Sequence, residues 1–161
     1  MARVLVVYFS ATGTTKTVAG RLAEVINADV FEIIPAEPYT KEDLDWREDD
    51  SRSSVEMKDP ASRPAISGTV DNMDQYDTIF VGAPIWWYVM PRIINTFLEA
   101  HDLSGKKIIL FATSGGSGLG RSVEKLEESA PHSHIIAGEV LNNDMSDDDL
   151  KAFAEKYNKD E

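Results

Sequence analysis

VLVVYF (Val4–Phe9) runs without a break into SATGTTKTVAGRL (Ser10–Leu22). A nearly continuous apolar run is what a strand covered on both faces of a parallel sheet requires, and Thr14–Ile26 carries its apolar residues at helical spacing. Between them, Ser10, Thr12, Thr14 and Thr15 crowd around Gly13. Hydroxyls beside the free N–H groups of a helix start, with a glycine that permits close backbone approach, form an anion cradle. The same residues suit a Ser/Thr cap with a turn glycine, so the junction alone leaves both readings open. Charge-assisted hydrogen bonds contribute about 1.5–3 kcal/mol each, so about four or five of them hold a phosphate without a buried cation. Lys16 is then not essential.

Outward from this junction the same alternation repeats. Thr78–Ala83, Lys107–Thr113 and His134–Leu141 read as further buried strands, and the mixed run Ala28–Ile34 suits a sheet edge. Helical patterns cover Pro91–Ala100, Leu119–Ser129 and Asp147–Lys159, the last behind a cap at Ser146. Right-handed crossovers fold such a chain into a five-stranded parallel sheet with helices on both sides, in the order 2-1-3-4-5. Ligands bind such sheets beyond the carboxyl ends of the strands, where the order reverses. The three loops at that point are Ser10–Thr15, Pro84–Met90 and Ser114–Gly120. In the second, Trp86, Trp87 and Tyr88 follow one another at a strand end and cannot all enter one core; a planar aromatic ligand, core packing or a subunit contact would each engage them. In the third, Gly115, Gly116, Gly118 and Gly120 let the backbone itself lie against a ligand.

Several rival chemistries fail on these loops. Gly13 is followed by Thr-Thr-Lys rather than Lys-Ser/Thr, which argues against a nucleoside triphosphatase, and GxGxxG is missing from the first turn. A phosphorylated receiver needs acids where this chain has Tyr8-Phe9-Ser10 and Gly82-Ala83-Pro84. The histidines His101, His132 and His134 are scattered, and no metal site is expected. The chain has 161 residues, an ordinary size for one domain, with 42% apolar and 27% charged residues and no stretch long enough to span a membrane. The expectation is a single domain, residues 1–161, located in the cytoplasm because MARVLVVYF does not resemble a signal peptide. Absence of cysteine removes disulfides, thiolate metal sites and cysteine nucleophiles. A net charge of −12 argues against nucleic acid and anionic membranes, and leaves a partner with a basic docking surface open. Only the segment from Pro35 to Asn72, rich in proline and charge, breaks the rhythm; it reads as a long surface excursion in which LDWREDD forms a short helix.

SATGTT after the first strand, PIWW after the third and TSGGSG after the fourth together resemble a flavodoxin, over most of the chain. The resemblance implies a flavodoxin-like three-layer αβα sandwich that binds flavin mononucleotide (FMN) non-covalently. On that reading Ser10, Ala11, Thr12, Gly13, Thr14 and Thr15 hold the phosphate. Pro84, Ile85, Trp86, Trp87 and Tyr88 lie along one side of the isoalloxazine, and Thr113, Ser114, Gly115 and Gly116 along the other edge. Tyr88 stands where members with PIWW usually have glycine, and the short fifth strand suits the short-chain type. The resemblance implies an electron carrier between redox partner proteins, with an FMN-dependent NAD(P)H:quinone-type reductase and a non-catalytic flavin-binding domain as alternatives.

Overall fold

Apolar residues in unbroken succession can be buried only where a strand is covered on both faces, and the computed structural model shows how this chain achieves it. The structure describes residues 4–10, 13–37, 39–44, 47–48, 50–59, 62–71, 73–84, 90–113, 120–141 and 145–158. The chain alternates β1 (Val4–Tyr8), α1 (Thr14–Ile26), β2 (Asp29–Glu32), α2 (Arg52–Lys58), β3 (Thr78–Ala83), α3 (Arg92–Glu99), β4 (Lys107–Ala112), α4 (Gly120–Glu127), β5 (His134–Val140) and α5 (Asp147–Asn158), with a 3-10 turn at Met73–Gln75. All strand pairs are parallel, in the order β2-β1-β3-β4-β5, and the sheet is flanked by helices on both sides, as the sequence predicts. The expected bounds of α1 and β3 are met, β1, β4 and β5 end one residue early, and β2 and α3 shorten at both ends, while Leu119 and Lys159, the expected start of α4 and end of α5, lie outside the described residues.

Successive residues of the inner strands serve opposite cores. Leu5, Val7, Ile79, Val81, Ile108 and Leu110 pack with Ile93, Ile94 and Phe97 of α3 and Leu126 of α4. Val6, Phe80, Ile109 and Phe111 pack with Val18 and Leu22 of α1 and with Leu150 and Phe153 of α5. Each large apolar side chain so buried contributes about 1.5–3 kcal/mol, so the two layers together dominate the stabilisation.

The excursion between β2 and β3 is fastened to the body at named points. Its outgoing and returning limbs pair at Pro35 and Ile66, with Ala36 N donating to Ala65 O at 2.9 Å and Ser67 N to Ile34 O at 2.6 Å. Arg63 Nε donates to Glu99 Oε2 at 2.8 Å, and Val70 N to His101 Nε2 at 2.9 Å, which together hold the returning limb against the end of α3. The helix within it is α2, not LDWREDD: the described residues of that stretch form turns, and the helix begins only behind Ser51, whose side chain accepts from Ser54 N. The cap decides the start, because it satisfies a donor that the helix leaves open.

The register between β4 and β5 slips once. Leu110 pairs with Ala137 and Ala112 with Val140, so Phe111 alone faces Gly138 and Glu139, a β-bulge. A Cβ on Gly138 would lie 2.1 Å from Leu110 O, with Ile109 and Phe153 side chains just beyond, and the bulge closes only because none is there. Gly138→Ala should therefore cost about 2–3 kcal/mol, a Tm drop of about 5–10 °C. Thermal unfolding of the variant checks this, and an unchanged Tm would refute the packing argument.

Candidate functional site

The carboxyl ends of β1, β3 and β4 lie side by side in the sheet, and the backbone joins them across its edge. Phe9 N donates to Gly82 O at 3.0 Å, and Thr113 N to Ala83 O at 3.3 Å. Beyond β1 the chain turns sharply. Gly13 N donates to Ser10 Oγ at 2.9 Å, and Gly13 itself has φ 98°, a left-handed conformation that side chains resist. Gly13 O then accepts from both Thr17 N and Thr17 Oγ1 at 3.1 Å, which starts α1.

The opening of α1 differs from that of α5. Ser146 Oγ accepts from Asp149 N at 3.1 Å and Asp149 Oδ2 from Ser146 N at 3.3 Å, and three aspartates lie in the first turn of α5, so that helix supplies its own cap and its own negative charge. At α1 Gly13 offers no side-chain cap, and no acid lies in the first turn. The first N–H groups of a helix have no partner within it, and here nothing in the first turn neutralises them. Lys16 is exposed, so the donors at this turn are neutral.

One contact carries the first loop to the third. Thr15 Oγ1 lies 2.7 Å from Thr113 Oγ1, either hydroxyl being able to donate, and Thr15 is 2% exposed. Because β3 stands between β1 and β4, this bond bridges the end of the intervening strand. Ser10, Gly13, the backbone of Thr14, Thr15, half-buried Pro84 and Thr113 are thus gathered at one edge. Ala11, Thr12, Ile85, Trp86, Trp87, Tyr88, Ser114, Gly115 and Gly116 lie outside the described residues.

The excursion reaches this edge through Tyr39. The Tyr39 ring meets Phe9 edge-on at 5.6 Å, one residue before the Ser10 turn, and the Arg52 guanidinium lies 3.8 Å from the Tyr39 centroid. Tyr39 Oη donates to Glu56 Oε1 at 2.5 Å, and Arg52 Nε to Glu56 Oε2 at 3.0 Å. Burial first, and the bond to Glu56 second, hold the Tyr39 phenol protonated far above its ordinary range. Trp46 lies outside the described residues. Among the described residues no group of three or more His, Asp or Glu could hold a metal, and no helix is long and apolar enough to cross a membrane.

The family described as Flavodoxin matches residues 3–157. The chain belongs to the flavodoxin family. Among curated proteins none matches it. Its fold is shared by a candidate flavoprotein from Bacteroides eggerthii DSM 20697, with a TM-score of 0.92 and 45% identity over 99% of this chain and 100% of that one. A second, from Bacteroides uniformis ATCC 8492, gives 0.89 and 45% over 96% and 98%. A flavoprotein from Lactobacillus acidophilus NCFM, solved in complex with FMN, is 21% identical with a TM-score of 0.73 over 99% and 100% of the two chains.

Two predictions arise from this geometry. Thr15→Val or Thr113→Val leaves the other hydroxyl without its partner and should cost about 1–3 kcal/mol in urea unfolding, with the double variant falling short of the sum by at least about 0.5 kcal/mol; strict additivity would mean that the two hydroxyls do not interact. Burial, and then the charge of Glu32, push the Tyr8 phenol up to about 12 from 10.0. The neutral phenol favours the folded state, so its contribution is complete below pH 10 and is lost as pH rises through about 12. Tyr8→Phe should flatten that alkaline limb of stability, and an unaltered limb would contradict the assignment.

Proposed function

We propose that this chain carries single electrons between redox partner proteins through non-covalently bound FMN. FMN is the cofactor of the site, in keeping with the family. The carrying observation is the uncapped, uncharged opening of α1 behind left-handed Gly13, because its neutral donors suit a phosphate dianion that brings its own charge. In this reading Ser10, Ala11, Thr12, Gly13, Thr14 and Thr15 hold the phosphate; Pro84, Ile85, Trp86, Trp87 and Tyr88 flank one side of the isoalloxazine; and Thr113, Ser114, Gly115 and Gly116 line the other edge. The bound flavin supplies reversible acceptance of electrons, one or two at a time. The protein supplies orientation, through loops cross-linked by Thr15 and Thr113, and an electrostatic setting.

That setting disfavours added negative charge. The loops Pro84–Met90 and Thr113–Gly120 contain no lysine or arginine, and the chain carries −12. One fixed negative charge at about 10 Å and an effective dielectric of about 20 costs roughly 1.7 kcal/mol, or about 70 mV for a one-electron step. The same charge supports docking to a basic partner surface, and it steers such a partner before contact.

In a reductive titration of the FMN-loaded protein, the two electrons should enter at separate potentials, with a paramagnetic signal that rises and falls between them. A single two-electron wave, together with steady NADH or NADPH oxidation in the presence of a quinone and no added reductase, would overturn the carrier reading in favour of the quinone-type reductase.

A further inference from the structure

The side chain of His101 is bonded at both ring nitrogens. Just past the end of α3, its Nδ1 lies 2.8 Å from Phe97 O, and its Nε2 accepts from Val70 N at 2.9 Å. A carbonyl can only accept and a backbone N–H can only donate, so the ring carries its proton on Nδ1 and keeps a lone pair on Nε2. The two backbone partners thus select one tautomer of the neutral imidazole. The Phe97 ring packs against it with centroids 4.4 Å apart and limits how it can turn.

Val70 belongs to the returning limb of the excursion and packs, partly buried, against the core. The ties already described for that limb are the pairing of Ile66 with Pro35, Arg63 with Glu99, and Val70 with His101. Of these, the last is the one that fails when an imidazole takes up a second proton, because Nε2–H and the Val70 N–H would then meet donor to donor. A charged ring has another group to face. His101 and Asp102 line one cleft of about 160 Å³, together with Ser104, Ser129 and His132. Hydrogen bonds from the side chain and backbone of Ser104 hold the Asp102 carboxyl below its ordinary range, so it stays an anion as the pH falls. Among the other charged groups around this end of α3, Glu99 and Asp71 favour a charge on the ring, and Arg63, Lys106 and a charged His132 oppose it.

We propose that His101 is a proton-operated latch on the excursion. As neutral imidazole it holds Val70; on adding a proton from solvent at Nε2 it releases the Val70 N–H and turns its charge toward the Asp102 carboxylate. The limb is freed at Val70 while its ties at Ile66 and Arg63 remain, so the change is a local loosening rather than unfolding. The latch lies at the amino end of β4, at the opposite end of the sheet from the three loops, and does not rest on the FMN reading.

The test is NMR of the full chain at about pH 8 and about pH 5, the span in which imidazole changes charge. The ring 15N shifts should show Nδ1 protonated and Nε2 bare at the higher pH, and both protonated at the lower. Corrected for the intrinsic exchange rate, the Val70 amide should lose at least about fivefold of its protection from hydrogen exchange on acidification, while Ser67 N, bonded to Ile34 O, keeps its own. His101→Gln cannot titrate, so its Val70 protection should be equal at the two pH values. Asp102→Asn removes the anion but keeps an acceptor for Ser104 N, and should retain more Val70 protection at the lower pH than the parent. The proposal is overturned if Nε2 carries the proton at the higher pH, if Val70 is equally protected at both, if His101→Gln shows the parent's loss, if Asp102→Asn loses as much as the parent, or if Ser67 opens in step with Val70.

Discussion

The hydrogen bond between the Thr15 and Thr113 hydroxyls spans the end of β3 and turns three separate strand ends into one site. Thr15 belongs to the first turn of α1 and Thr113 follows β4, so the bond ties a helix on one face of the sheet to a loop two strands away. Neighbouring strands lie about 4.8 Å apart, so a gap of about 10 Å between β1 and β4 is closed by two short side chains and the lean of the helix. The opening of α1 can therefore present its N–H groups only in one place. Whatever binds there is held by donors whose orientation is set before it arrives, and preorganisation of this kind lowers the cost of binding.

The rest of the molecule supports that geometry from outside. Phe9, buried at the foot of the first loop, is backed by Tyr39, and Tyr39 is held in turn by Glu56 and Arg52. Arg92, just past the second loop, grips the end of the same short helix through Met57 O. The excursion thus links the entrances of two loops that the sheet alone leaves separate. An exposed ion pair contributes little, but Glu56 is 9% exposed and its partners are an arginine and a phenol, so this cluster positions the segment more firmly than surface pairs would.

Much of this can be read from residues alone. The unbroken runs Val4–Phe9, Thr78–Ala83 and Lys107–Thr113 declare strands covered on both faces, and the order of strands follows from handedness and from the alternation with helices. The Ser10–Thr15 turn is legible only in part, because its hydroxyls and glycine suit an anion cradle and a capped turn alike. The short helix of the excursion is not: LDWREDD has the composition of a helix, yet the cap at Ser51 starts one only at Arg52. The partnership of Tyr39 with Arg52 and Glu56 is also hidden, because it depends on a fold of the excursion that no periodicity records. Arg92 reads as one more charge beyond a loop; that it is buried, with an unpartnered Nε, emerges only from packing.

The central claim is that the first loop is built for a phosphate carried by a flavin. The most direct measurement is the affinity of the apoprotein for FMN against riboflavin, which differs only by lacking the phosphate, followed by quenching of flavin fluorescence. Loss of two or more charge-assisted bonds predicts that FMN binds at least about a hundredfold more tightly. Equal affinities would contradict the account, because the donors behind Gly13 would then have no phosphate to hold.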